Sequence, residues 1–306
     1  MTGHDVAIGS RGSALALAQA RLVREAFERS GGASPIVVIE TAGDRRRPDT
    51  AWGEGAFVAA IQLALLDGRV DVAVHSAKDI PTDEDPRLVI AAYLPRADPR
   101  DALVAPVGSR VEGLADLPAG SRVGTDSPRR TGFVRAARPD LEVHPLHGNV
   151  DTRLRRLDGG ESDALVLACA GLDRMGLDAR IAARLDPGAV PPAPGQGAIA
   201  VQVRRDDTAT LALAAAVDDP ATRAAVEAER AFLAASGGGC RSPIGALATV
   251  TGEELVLLGG WASPDGSETA IARRRGPVAR RVDVARELAD ELAAVTPLRA
   301  ATGAAG

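Results

Sequence analysis

The chain has 306 residues, 45% of them hydrophobic, so it can form two or three domains with buried cores. It contains no run of about 18 consecutive apolar residues, which argues against a membrane span, and its net charge of −5 argues against nucleic acid as a partner. The N-terminus lacks the basic and then apolar pattern of a signal peptide, and two cysteines do not make a disulfide framework, so a cytoplasmic, reduced protein is expected.

The N-terminal part of the chain alternates short apolar runs with amphipathic stretches. Strands are predicted at residues 6–9, 36–41 and 70–75. Ser13 is a suitable N-cap for a helix over residues 14–29, and a second helix is predicted over residues 55–66.

The middle of the chain repeats this alternation. Strands or extended segments are predicted at 121–125, 141–145 and 164–168. Ser127 with Pro128 is a good start for a helix to residue 138, and Asn149 can cap a helix to residue 157. Alternating strands and helices predict α/β domains with largely parallel sheets.

The C-terminal part begins after a proline-rich connection at residues 187–194. A strand is predicted at 198–203, and helices at 222–235 and 282–294, with a glycine-rich turn at 237–240 between the helices. We predict three domains: residues 1–95 with 196–217, residues 96–195, and residues 218–306.

A polar segment, His75-Ser76-Ala77-Lys78-Asp79, closes the strand predicted at 70–75. In α/β sheets, ligands commonly bind where strands end, and there Asp79 can hold a cation or accept an N–H hydrogen bond. Lys78 is the only lysine of the chain, and its compact ammonium can pair with an anion. A surface turn with a local ion pair is the alternative interpretation.

Three predicted helix starts carry cationic side chains. Arg129 and Arg130 lie in the first turn of one helix, Arg153 follows Asn149 in another, and Arg11 precedes the first helix. Free N–H groups at a helix start attract anions, and arginines there are unfavourable for the helix dipole without an anion. The pattern indicates a ligand with several carboxylates or phosphates, and solvated arginines beside ordinary N-caps are the alternative.

The two cysteines have different surroundings. Cys240 follows three glycines and precedes Arg241, so it is either an activated nucleophile or an ordinary small residue in a tight turn. Cys169 lies in an apolar run and is predicted to be a core thiol. His144 and His147 have no accompanying ligand cluster, so no metal is expected, and no phosphate-loop or dinucleotide pattern occurs.

Together these motifs resemble the hydroxymethylbilane synthase family, also called porphobilinogen deaminases, along nearly the whole chain. The matching blocks, in order, are SRGS, DVAVHSAKDIP, DPRDALV, GTDSPRR, HGNVDTRL, LACAGLDRMGL, APGQGAIAVQVR and AERAFLAASGGGCRSPIG. The resemblance implies an α/β fold with two periplasmic-binding-protein-like lobes, a cleft and a smaller C-terminal α+β domain. It also implies a monomeric transferase that condenses four porphobilinogen molecules head to tail, releasing ammonia, to give hydroxymethylbilane for tetrapyrrole biosynthesis.

The resemblance also implies roles for individual residues. Asp79 is the expected catalytic acid, and Cys240 is expected to carry a covalently attached dipyrromethane cofactor. The residues implied to hold that cofactor are Lys78, Ser76, Thr125, Ser127, Arg129 and Arg130. The residues implied to face the substrate or the growing chain are Arg11, Ser13, Gln19, His147, Asn149, Arg153, Arg174 and Gln196.

Three positions depart from the pattern of this family. His147 stands where the family has arginine, Asp126 where a small or hydroxyl residue is usual, and Glu54 where many relatives have lysine. Each change makes the site less positive. If the histidine limits activity, replacing His147 with arginine should raise it. The changes leave open a divergent paralogue that binds pyrroles or tetrapyrroles without turnover. A solute-binding protein is disfavoured by the missing export signal and by the turn at Cys240.

Overall fold

The computed structural model describes residues 5–29, 34–40, 58–239 and 241–298. The chain divides into two compact units, residues 1–97 with 198–223 and residues 98–197 with 224–306. Cys240 and Glu54 lie outside the described ranges, as does the start of the helix predicted at 55–66. No helix within the described ranges is long and apolar enough to cross a membrane.

A five-stranded sheet forms the centre of the first unit, with the strand order β2-β1-β3-β10-β4. Its strands are β1 (Ile8–Ser10), β2 (Ile36–Val38), β3 (Val72–Ser76), β4 (Leu88–Tyr93) and β10 (Ile199–Arg204). Its helices are α1 (Ala14–Glu28), α2 (Ala59–Leu66) and α6 (Thr208–Ala215). Successive β3 residues face different cores, because Val72 packs with α1 and Ala73 packs with α2, and this burial of both faces explains the continuous apolar run in the sequence.

Helix α1 forms where the sequence predicts it. The Ser13 side chain accepts a hydrogen bond from the Ala16 backbone N–H, which satisfies one unpaired donor of the first turn. Val23 and Phe27, one helical turn apart, are fully buried against the sheet. The same packing holds the first turn of α1 beside the end of β3, which positions Gln19 next to Ser76.

A second five-stranded sheet forms part of the second unit, with the strand order β7-β6-β8-β5-β9. Its strands are β5 (Asp101–Val104), β6 (Arg122–Gly124), β7 (Glu142–His144), β8 (Ala164–Ala168) and β9 (Ile181–Arg184). Its helices are α3 (Pro128–Ala137), α4 (Val150–Asp158) and α5 (Cys169–Arg174). Leu103 and Val104 on β5 belong to different core clusters, so this sheet is also covered on both faces.

The prediction of largely parallel sheets is wrong in one respect. In each five-stranded sheet one strand is inverted: β10 runs antiparallel to β3 and β4, and β5 runs antiparallel to β8 and β9. Both inverted strands lie where the chain passes from one sheet to the other, because β5 follows β4 of the first sheet and β10 follows β9 of the second sheet. The connection before each of them therefore comes from another sheet, and no crossover helix there sets the strand parallel to a neighbour.

The second unit also contains a three-stranded antiparallel sheet near the C-terminus. Its elements are β11 (Ile244–Thr251), β12 (Glu254–Ala262) and β13 (Thr269–Pro277), with α7 (Pro220–Ala235) before and α8 (Arg281–Ala293) after them. Phe232 on α7 and Leu288 on α8 are fully buried over this sheet. Gly259 on β12 leaves room for the Phe232 ring, which would lie 2.5 Å from a Cβ at that position. The mixed α/β class and the smaller C-terminal α+β region are confirmed, and the exact domain boundaries stay a prediction.

Candidate active site

A pocket in the first unit collects several of the predicted site residues. Arg11 precedes α1, Gln19 lies in its second turn, and Ser76 and Asp79 come from the end of β3 and the turn after it. The full lining is Arg11, Ala16, Gln19, Val58, Ile61, Val74, His75, Ser76 and Asp79. Apolar walls with a few convergent polar groups are the usual surroundings of a small-molecule ligand.

Asp79 ends a short 3-10 turn, Ala77–Asp79, that follows β3 directly. The turn is fixed at its start, because the Ala77 N–H donates to the Ala198 carbonyl over 3.1 Å. Lys78 and Asp79 are half-buried, whereas Ala77 between Ser76 and Lys78 is buried. Asp79 therefore lines the pocket, where its carboxyl group is able to stabilise a cation or exchange a proton.

The predicted residues of α1 have defined partners. The Gln19 amide donates to the Ser76 hydroxyl over 2.8 Å, linking the helix to the end of β3. Ser13 uses its hydroxyl oxygen as the N-cap acceptor. Its hydroxyl hydrogen is not required for the cap and is able to donate to a ligand.

His75 lines the same pocket and was not among the predicted site residues. Burial lowers the pKa of His75 to about 4, against a hydrogen bond with Gln202 that acts in the opposite direction. His75 Nε2 lies 3.2 Å from Gln202 Oε1, which also accepts from Gln62 Nε2 at 3.2 Å. His75 is therefore a neutral imidazole at neutral pH. Its place in the polar segment after an apolar run was the available signal.

In the second unit, Arg129 and Arg130 are buried beside a carboxylate that the sequence analysis did not identify. Arg129 Nη1 lies 2.7 Å from Asp101 Oδ2, and Arg130 Nη2 lies 2.8 Å from Asp101 Oδ1. Burial alone would raise the pKa of Asp101, but the two arginine charges outweigh it and hold that pKa well below its usual range. Asp101 lies in the matching block DPRDALV. Its charged side chain at the start of an apolar strand was the sequence feature that could have identified it as a partner of the arginines.

Gln196 joins this buried network. Its amide donates to Asp101 Oδ1 and to the Pro99 carbonyl, both over 2.8 Å. Gly195 and Gly197 on either side have φ values of +76° and +87°, which glycine adopts most readily. Arg174, at the end of α5, donates to the Gly197 carbonyl over 2.6 Å. Burial lowers the pKa of Arg174 to about 10, so it remains cationic at neutral pH.

The turn between β6 and α3 contains the predicted hydroxyl residues. Thr125 is buried and its Oγ1 accepts from the Ser127 N–H over 3.3 Å. Ser127 is the N-cap of α3, as predicted, and its Oγ accepts from the Arg130 N–H over 3.4 Å. Both hydroxyl groups act here as acceptors, which leaves each O–H able to donate to an anion.

A second group of predicted residues lies at the start of α4. His147 Nδ1 lies 2.8 Å from Asp126 Oδ1, a close contact whose angle does not meet hydrogen-bond geometry. Asn149 holds the N-cap position, but its side chain makes no capping hydrogen bond and is exposed. Arg153 donates from Nε to the Gly148 carbonyl over 2.8 Å. Burial lowers the pKa of Arg153 to about 10, which leaves it charged at neutral pH.

The two cysteines are distinguished by what surrounds them. Cys169 is a buried free thiol, and burial raises its pKa to about 11, so it is a poor nucleophile at neutral pH. The prediction of a core thiol is confirmed. On either side of Cys240, the Gly239 N–H donates to Ser242 Oγ over 2.7 Å and the Ser242 N–H donates to the Gly239 carbonyl over 3.0 Å.

Comparisons with known proteins agree along the chain. Residues 6–212 match the family model described as porphobilinogen deaminase, dipyromethane cofactor binding domain, and residues 223–294 match the porphobilinogen deaminase C-terminal domain. A porphobilinogen deaminase of Nocardia farcinica is 48% identical over 95% of this chain and 86% of its own length. One from a Roseiflexus species is 49% identical over 93% of this chain and 94% of its own length.

Solved structures give a weaker likeness. An L-cystine solute receptor of Neisseria gonorrhoeae has a TM-score of 0.38 at 15% identity, over 70% of this chain and 84% of that one. A probable amino-acid transporter binding protein of Bacillus subtilis has a TM-score of 0.40 at 10% identity, over 71% of this chain and 90% of that one. Both family models match this chain, and relatives that share almost half of its residues overlap it nearly completely. This chain therefore belongs to the porphobilinogen deaminase family.

Proposed function

We propose that this chain is a hydroxymethylbilane synthase, a transferase that joins four porphobilinogen molecules head to tail with loss of ammonia. The observation that carries the proposal is the pocket that brings the Asp79 carboxylate together with Arg11, His75 and apolar walls. Membership of the porphobilinogen deaminase family, with its dipyrromethane cofactor-binding domain, supports the same reaction.

The residues present fit a dipyrromethane group. Such a group has two flat apolar rings that carry acetate and propionate side chains. Val58, Ile61 and Val74 offer apolar surface in the pocket of the first unit. In the second unit Arg129 Nε is buried and has no hydrogen-bond partner within the described part of the chain, so a carboxylate can satisfy this donor. Lys78, Ser76, Thr125, Ser127, Arg129 and Arg130 are the residues we assign to the cofactor.

We assign the attachment of the cofactor to Cys240. A thioether requires a reactive thiolate, and the buried Cys169, with its raised pKa, does not supply one. The cofactor supplies the pyrrole ring carbon to which the first substrate unit is joined.

Asp79 is the group we assign to the chemistry on the substrate. The carbon–nitrogen bond of the aminomethyl group breaks, ammonia leaves after accepting a proton, and the porphobilinogen ring is left as a delocalised cation. Asp79 stabilises that cation and accepts a hydrogen bond from the N–H group of its ring. A carbon–carbon bond then forms to the methylene and the attacking ring loses a proton, which Asp79 is able to accept. After the last unit, the carbon–carbon bond that holds the methylene of the first unit would break, a proton would take its place on the ring left behind, and water would add to the freed methylene to give hydroxymethylbilane.

The cationic residues serve the carboxylates of the substrate and of the growing chain. Each porphobilinogen adds an acetate and a propionate, so the chain becomes more anionic with every step. Planar guanidinium groups bind carboxylates in a fixed, two-pronged geometry. The residues we assign to this task, directly or by orienting a neighbour, are Arg11, Ser13, Gln19, His147, Asn149, Arg153, Arg174 and Gln196.

The function is tested first by the intact mass of the purified protein and by consumption of porphobilinogen. We expect an excess mass equal to a linked dipyrrole and steady release of ammonia. Asp79→Asn should keep the excess mass and lose activity by about 100-fold or more, the range typical of a removed acid–base group. Asp83→Asn, at an exposed position in the next loop, is the matched control and should keep normal activity.

The outcomes separate two claims. Normal turnover in Asp79→Asn would reject the role of that residue and leave the function intact. A wild-type protein with excess mass but no turnover would favour the divergent paralogue that binds pyrroles, for which the Asp126 carboxylate beside His147 is the supporting observation.

We further propose that the protein acts as a cytoplasmic monomer without a nucleic-acid partner. The net charge of −5 supports the last point. Light scattering at micromolar concentration tests the first, with a mass near 31.4 kDa expected for the single chain.

A further inference from the structure

The Asp126 carboxylate lies beside basic side chains from two segments of the second unit. Its Oδ1 lies 2.8 Å from His147 Nδ1, before α4, and its Oδ2 lies 3.9 Å from Arg241 Nη1, after the glycine-rich turn. Arg153 on α4 also interacts with the Asp126 charge. Two segments therefore bring basic side chains close to one carboxylate of the protein itself.

The contact with His147 is short and shielded. One carboxylate oxygen of Asp126 and Nδ1 of the His147 ring lie 2.8 Å apart. The side chains of Asp126 and His147 are only 14% and 16% exposed, so solvent screens their interaction less than it screens a surface pair.

We propose that Asp126 is a resident carboxylate that competes with ligand carboxylates for His147 and Arg241, and so determines how tightly this part of the site binds acidic pyrroles. The proposal rests on the proposed function, because the competing ligand is porphobilinogen or the growing chain. Acetate and propionate carry the same functional group as an aspartate side chain. A cluster that accommodates Asp126 therefore has the chemistry to bind either of them.

The competition gives Asp126 and His147 a coupled effect. An arginine at position 147 would lie within reach of the same Asp126 carboxylate and would pair with it more strongly than histidine does. The positive charge added by the arginine alone would then be paired with Asp126 and would not be available to a ligand carboxylate. The expected gain from His147→Arg thus depends on removing the Asp126 charge as well.

Two measurements on the holoenzyme test this proposal. One is calorimetric binding of a pyrrole that carries acetate and propionate but no aminomethyl group, so that it cannot react. The other is the steady-state KM and kcat for porphobilinogen. The variants are Asp126→Asn, His147→Arg and the double variant, with Asp140→Asn as the control because Asp140 pairs with Arg138 at the surface of the same unit.

We expect Asp126→Asn to tighten binding of the probe by about fivefold, the size of one partly exposed charge pair, and to lower KM similarly with little change in kcat. His147→Arg alone should stay within about twofold of wild type, and the double variant should exceed the product of the single effects. Thermal unfolding checks that each variant is folded.

Weaker or unchanged binding in a folded Asp126→Asn variant would overturn the proposal, as would a full gain from His147→Arg alone. If wild type neither binds the probe nor consumes porphobilinogen, the proposed function fails together with this inference. If wild type does both and Asp126→Asn brings no gain, only the inference fails.

Discussion

Arg129 Nη1 and Asp101 Oδ2 lie 2.7 Å apart, and neither side chain is more than 3% exposed. With Arg130 on the other carboxylate oxygen, one buried anion is shared by two buried cations. Breaking a buried pair by removing one partner leaves charges without compensation, which costs more than the pair itself contributes.

Replacing Asp101 should therefore destabilise the fold. We expect Asp101→Asn to lower the free energy of unfolding by about 3–5 kcal/mol, because two buried arginines lose their counter-charge. Urea unfolding at neutral pH measures the change. Asp140→Asn, which breaks the more exposed pair with Arg138, should cost less than about 1 kcal/mol. Similar losses in the two variants would contradict this account.

The neutral state of His75 should make stability depend on pH. Its pKa is about 4 in the folded protein, against about 6.5 for an unfolded histidine, so the unfolded chain binds more protons between these values. The free energy of unfolding should fall by about 2 kcal/mol from pH 7 to pH 5 through this residue alone. His75→Gln should remove that part of the slope, and an unchanged slope would show that His75 is accessible to protons in the folded state.

The two cysteines should behave differently when each is replaced. Cys240→Ser should abolish the excess mass of the linked dipyrrole, whereas Cys169→Ser should retain it, because Cys169 is buried and its thiol resists ionisation. Intact mass spectrometry of both variants decides the matter. An adduct that survives in Cys240→Ser and disappears in Cys169→Ser would move the attachment to Cys169.

Glu229 should stabilise the loop that carries Gln196. Its carboxylate is fully buried and accepts from the Gly195 N–H and from the Ala248 N–H, each over 2.7 Å. A glutamine has one acceptor oxygen and would turn its amide group toward the other donor. We expect Glu229→Gln to lose about 1–3 kcal/mol in urea unfolding.

Glu227→Gln provides the comparison on the same helix. Glu227 pairs with Arg281, and both side chains are 32% exposed, so a loss of less than about 1 kcal/mol is expected. Equal losses in the two variants would mean that the Glu229 contacts contribute no more than an exposed ion pair.

Local elements were predictable from the sequence, because local chemistry determines them. Ser13 and Ser127 cap their helices as predicted, and the strand at 164–168 has the predicted limits. The inverted strands were not predictable from alternation alone, since β5 and β10 each follow a strand of the other sheet and run antiparallel to their own neighbours.

The sequence did not reveal which residues that are far apart in the chain contact each other. Asp101 lies 28 residues before Arg129 and 95 before Gln196, and no local pattern indicates that they meet. The helix start with two arginines was predicted to attract an anion, and the anion beside them in this structure belongs to the protein itself. His147 and Asp126 looked like separate losses of positive charge, and the structure brings them into direct contact.

The position of β10 at the interior of the first sheet has a consequence for synthesis of the chain. Strand β4 pairs only with β10 in the order β2-β1-β3-β10-β4, and β10 ends at Arg204 of 306 residues. While a ribosome makes the preceding residues, β3 presents an unpaired edge and β4 has no neighbour in the sheet. The sheet of the first unit therefore cannot be completed until β10, about two-thirds of the way along the chain, has been synthesised. Until then the unpaired edges of its strands are accessible to chaperones and prone to aggregation.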